Sequence, residues 1–169
     1  MYVDPGLAIL RVVVGGVVMA HGLQKLGFLG GAGPTSTVGM MGRISVKPEP
    51  LWAAVLVAAE VGGGALTALG FLGPVGPSLI VADMIVAAAT VHWPNGFWNH
   101  RGGIEYSLTL GTAALSIALI GNGAWSIDRL IGLTMPDWLI QGWIAIVILG
   151  VVLAFVSRTT AEADQGQAA

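Results

Sequence analysis

Three ionisable side chains, Arg11, Glu60 and Asp83, stand inside long apolar runs of this chain. A charge in the hydrocarbon of a membrane costs about 2.5 kcal/mol at least, so each requires a partner or a purpose. Arg11 counted from His21, Glu60 from Leu51 and Asp83 from Trp93 all come out at a depth of about 15 Å, at 1.5 Å of helix rise per residue. One guanidinium and two carboxyls are thus expected near the same midplane. Arg11 would grip one carboxylate through its bidentate fork, and the other carboxyl would carry or share a proton. Two chemistries remain open for this group: a buried ion-pair network that fixes helix register, or proton and quinone chemistry inside a bundle.

A second group is expected nearer one surface. His21 ends the first apolar run, His92 ends the third, and Glu105 with Tyr106 opens the fourth. From Glu105 a polar stripe continues through Thr109, Thr112 and Ser116, at offsets of 4, 7 and 11 residues that keep to one helix face. His21, His92 and Glu105 are the candidate catalytic residues, able to bond a quinone's oxygens and relay protons. Arg11, Glu60, Asp83, Tyr106 and Thr109 are the candidate ligand-binding residues. The competing readings are interfacial histidines bonded to backbone or headgroups, and a hydroxyl stripe used for helix packing. Two histidines and a carboxylate are also the donor types of a metal or haem site, but they come from separated helices with no spacing signature, so no metal is assigned.

The elements that must position these residues follow from composition. The chain has 169 residues, 55% hydrophobic and 9% charged, with a net charge of -2 and no cysteine. So few charges cannot clothe a water-soluble domain, and the absence of a basic stripe argues against nucleic acid. Without cysteine the chain carries no thiolate metal site, iron–sulfur ligation or disulfide exchange, and no covalently held cofactor is expected. Five apolar runs, 5–22, 51–72, 75–93, 103–121 and 136–156, are the candidate membrane spans, the first of them short. The tryptophans fall near span ends, as an aromatic belt requires. No basic n-region precedes the first run, and Arg11 interrupts it, so a secretory signal is not expected.

The predicted organisation is a four-helix membrane core over residues 5–131 with an interfacial loop at 23–50, an additional span at 136–157 and a disordered tail at 158–169. Alternating spans collect Lys25, Arg43, Lys47, Arg101 and Arg158 on one side, side A, and leave only Arg129 outside the spans on side B. The positive-inside rule makes side A cytoplasmic, the N-terminus external and the C-terminus cytoplasmic.

Several of these residues also carry a family resemblance. His21-Gly22-Leu23-Gln24-Lys25-Leu26 after the run with Arg11, Glu60 before Gly63 and Gly64, His92 closing the third run, Gly96-Phe97, Glu105-Tyr106, and the stretch from Gly121 through Asn122, Gly123, Ala124, Trp125, Ser126 and Ile127 to Asp128 together resemble the DoxX family of bacterial membrane proteins. The likeness covers about residues 7 to 131. It implies an all-α membrane protein with a four-helix core, to which the fifth C-terminal helix is an addition. It also implies a bacterial inner-membrane location and a link to respiratory, sulfur or oxidative-stress redox complexes. The related DoxD type is a subunit of thiosulfate:quinone oxidoreductase, and other members associate with superoxide dismutase and a sulfurtransferase. The leading expectation is therefore a protein of a membrane redox complex with quinone as ligand and soluble or membrane redox subunits as partners. A non-catalytic scaffold that recruits a soluble partner is the alternative. A small-solute transporter ranks third, because the spans show no duplicated, broken-helix pattern. The fifth helix could bind a partner or form a homo-oligomer.

Overall fold

The computed structural model describes residues 3–167, and over these the chain is all α. Helix α1 is Val3–Lys25, α2 is Gly33–Arg43, and α3 is Glu49–Leu69. They are followed by α4, Val75–Asn95, by α5, Glu105–Ile120, by the short α6, Ile127–Ile131, and by α7, Asp137–Gln167. Helices α1, α3, α4 and α7 are long and apolar enough to cross a membrane, and α5 is apolar but only 16 residues long.

Local chemistry sets the helix ends. Asp4 lies in the first turn of α1 and Lys25 in its last, each where the helix dipole favours its charge. Gly70 stops α3 in the left-handed conformation, at φ 63° and ψ 52°, which a glycine reaches without penalty. Between α4 and α5 the chain makes a tight loop in which a Cβ on Gly103 would run into the Gly96 carbonyl. That loop consumes the residues before Glu105, so α5 starts later than the apolar run that begins at Gly103.

The bundle is assembled by backbones that nearly touch. A Cβ on Gly15 would overlap the Gly64 carbonyl, and one on Gly64 would come 2.6 Å from the Gly15 carbonyl. Gly76 meets the Gly63 carbonyl in the same way at 2.7 Å. Small residues at such crossings replace the hydrophobic driving force that lipid does not supply. Leu7, Val14, Val18, Ile80, Met84, Ala114 and Ile117 fill the interior among α1, α4 and α5. Helix α7 stands outside this core against α4, where Trp143 Nε1 donates to Ser78 Oγ at 2.8 Å, and leaves Ile146, Leu149 and Leu153 exposed to lipid. Ser78→Ala removes the acceptor of that bond and leaves the indole in place, so a loss of about 1 kcal/mol is expected in thermal unfolding in detergent.

The structure departs from the expected organisation at three places. The first span is 23 residues long, because the helix continues past Gly22 through Lys25. The loop at 23–50 contains α2, whose Thr37 Oγ1 donates to the Lys25 carbonyl at 3.2 Å and so docks α2 under the end of α1. Residues 158–167 continue α7 as helix where an irregular tail was expected. Alanine and glutamate in that stretch prolong a helix already nucleated by the span.

Candidate functional site

The close contacts fix which residues share a level. Along α1, Gly22 lies against Glu60 and Val61, Gly15 against Gly64 and Ala68, and Arg11 fills the space beside Gly70. Between α3 and α4, Gly63 faces Leu79 and Gly76 faces Leu66 and Thr67, which sets Glu60 opposite Asp83. Glu60 and Asp83 therefore do share a depth. Arg11 does not join them: it lies ten residues of α3 away, about 15 Å at the usual rise.

The cation at the carboxyl pair is Lys25. Its Nζ donates to Glu60 Oε1 at 2.6 Å, with the Glu60 side chain only 6% exposed. Lys25 follows His21 by four residues, on the same face of α1, and both line an open cavity of about 340 Å³ bordered by α2 residues such as Met40 and Arg43. His21 Nε2 and Tyr106 Oη form a hydrogen bond of 3.0 Å across from α1 to α5, with the rings edge to face. Glu60 sits on the wide π turn Ala59–Gly63, a local departure from the 3.6-residue repeat that re-aims its side chain. Thr67, fully buried on the same helix, returns its hydroxyl proton to the Gly63 carbonyl at 2.7 Å. The side A site is thus Lys25, Glu60 and Asp83 at its base, with His21 and Tyr106 above.

His92 and Glu105 are absent from that convergence. His92 Nδ1 is 2.7 Å from the Gly102 carbonyl, and Glu105 Oε2 accepts from the Asn99 backbone N–H at 2.8 Å. Both hold the 93–104 loop in shape, because its turns leave backbone groups that need partners. Of the three candidate catalytic residues, His21 alone lines the side A cavity. Thr109 is exposed and donates to the Glu105 carbonyl at 2.8 Å, and Ser116 donates to the Thr112 carbonyl at 2.9 Å. These hydroxyls turn back on their own helix.

Arg11 belongs to a second polar cluster at side B. It is 1% exposed and its Nη2 donates to the Trp125 carbonyl. A Cβ at Gly70 would coincide with its guanidinium, so this glycine supplies space as well as a turn. Beside it, Asp128 accepts from the N–H groups of Leu72 and Gly73 at 2.9 and 2.7 Å and from the Asn122 amide at 2.7 Å. Asp4 takes the Ala124 N–H at 2.9 Å. The 121–128 stretch is therefore a knot that ties the start of α1 to the α3–α4 turn. The depth count failed for Arg11 because it assumed that α1 ends and α3 begins at one surface. The first turns of α3 instead lie beyond the end of α1 and pack on α2.

Sequence reasoning placed Lys25 among the residues that orient the chain, and its pairing escaped notice. Its spacing from His21 was the available signal. A cavity of about 1050 Å³ lies elsewhere, between α4, α5 and α7 towards side B, with walls such as Val81, Ile85, Leu115 and Val147. None of the side A ionisable residues lines it. Among the described residues no three histidine, aspartate or glutamate side chains are grouped to hold a metal ion.

A family model, DoxX, matches residues 6–93, from α1 to the end of α4. The later parts of the resemblance, Glu105-Tyr106 and the 121–128 stretch, lie beyond the matched residues. No curated protein and no solved structure matches the chain.

Proposed function

Since the chain belongs to the DoxX family and is a multi-pass membrane protein, we propose that it serves a membrane redox complex by receiving a quinone-type ring at the side A site. The observation that carries this reading is the His21–Tyr106 hydrogen bond beside a cavity of about 340 Å³ that also reaches Lys25. An imidazole and a phenol together can donate to one carbonyl oxygen of a ring and hold it, and both can pass protons. Reduction of a quinone takes up two electrons and two protons. The chain has no cysteine to carry electrons, so a reductant subunit supplies them while this chain supplies protons. The basic residues on side A orient the site to the cytoplasm in this reading, with the N-terminus external, the C-terminus cytoplasmic and the inner membrane as the location.

The scaffold reading draws on His92 and Glu105, which serve the shape of an exposed loop instead of a ligand site. One experiment separates the two. Protein purified in mild detergent is extracted with organic solvent and its quinone content measured, for the wild type and for His21→Gln and Tyr106→Phe. The expected result is bound quinone in the wild type and about a tenfold loss of affinity in each variant, the equivalent of one hydrogen bond of about 1.4 kcal/mol, with folding intact. Wild-type protein that binds no added quinone would leave the scaffold as the function.

A further inference from the structure

The charge count at the base of the side A site does not close. Two carboxyls, Glu60 on α3 and Asp83 on α4, face one ammonium, Lys25 on α1. Arg11, the other buried cation, is committed to the Trp125 carbonyl at the opposite end of α3. The remaining groups around the pair are His21 on α1 and Tyr106 on α5, bonded to each other, and Arg43 of α2, which lines the cavity above. Glu60 is 5% exposed. Its Oε1 is taken by Lys25, while Glu60 Oε2 and Asp83 Oδ2 are both buried and have no hydrogen-bond partner among the described residues.

Two bare carboxylate oxygens in an apolar interior are costly, and the cost falls on the charged form. One hydrogen relieves it: a proton on either carboxyl cancels the excess charge. We infer that Glu60 and Asp83 hold one proton between them, so that Lys25, Glu60 and Asp83 form a neutral triad, of which Lys25 lines the side A cavity. Lys25 sets the number of protons. With one ammonium present one carboxylate is balanced, and the second carboxyl must keep its hydrogen. The holding of the proton stands on this geometry alone. Its delivery to a ring in the cavity rests on the function proposed above.

Infrared spectroscopy of the full-length protein in detergent near pH 7, freed of quinone, tests the inference. The wild type should show the carbonyl stretch of one protonated carboxylic acid, shifted in deuterated buffer. Sharing makes a specific demand on the single variants. Glu60→Gln leaves Asp83 alone with Lys25, and Asp83→Asn leaves Glu60 alone with Lys25, so in each the remaining carboxyl ionises and the band disappears. A band that persists in Glu60→Gln would mean that Asp83 is protonated by burial alone, and would overturn the sharing. No band in the wild type would overturn the inference outright, and a melting temperature that then rose with sodium concentration would assign the bare oxygens to a metal cation. The wild-type measurement stands even if a variant fails to fold. Because it is made without quinone, its outcome is separate from the extraction result.

Discussion

Lys25→Met is expected to destabilise the protein by about 3 kcal/mol in thermal or denaturant unfolding in detergent, the usual cost of removing one partner from a largely buried pair. Lys25 Nζ lies 2.6 Å from Glu60 Oε1, and no other cation approaches Glu60 that closely among the described residues. Methionine preserves most of the side-chain volume, so the loss reports the charge. Adding Glu60→Gln to Lys25→Met should restore most of the stability, since the carboxylate that was stranded is gone. The cycle of single and double variants isolates the pair. Arg11→Met provides the contrast. If Glu60→Gln rescued Arg11→Met and left Lys25→Met unrescued, the pairing would be as the depth count first had it, and the register described above would be wrong.

The other large effect is at side B. Asp128→Ala removes an acceptor shared by the backbone N–H groups of Leu72 and Gly73 and by the Asn122 amide. Each partly buried donor left unsatisfied costs about 1 to 3 kcal/mol, so a total of about 3 kcal/mol or more is expected. Asp128→Asn, which keeps one carbonyl oxygen, should recover part of it. Arg11→Met should cost less than Asp128→Ala, because Nε and Nη1 of Arg11 have no partner among the described residues and the Trp125 carbonyl is the bond lost. Unfolding midpoints that placed Arg11→Met below Asp128→Ala would mean that the guanidinium, and not the carboxylate, holds the knot together.

Composition and run length sufficed for the all-α membrane class, the five apolar helices and the equal depth of Glu60 and Asp83. These are one-dimensional properties: hydrocarbon thickness converts into residue counts, and α3 and α4 are joined by the short link 70–74, which leaves little room for an offset. The start of α5 at Glu105 was not so determined, because the loop before it is built by contacts between Gly96 and Gly103. Nor was the partner of each charge. The connection from α1 to α3 is long enough to hold α2, so α3 could begin well beyond the end of α1, and only the Gly15–Gly64 and Gly22–Glu60 contacts reveal that it does. That offset hands Glu60 to Lys25 and sends Arg11 to Trp125. His92 and Glu105 went to the loop for a related reason: residue type shows what a side chain can bond, and only the tertiary structure decides which unsatisfied backbone group lies nearest.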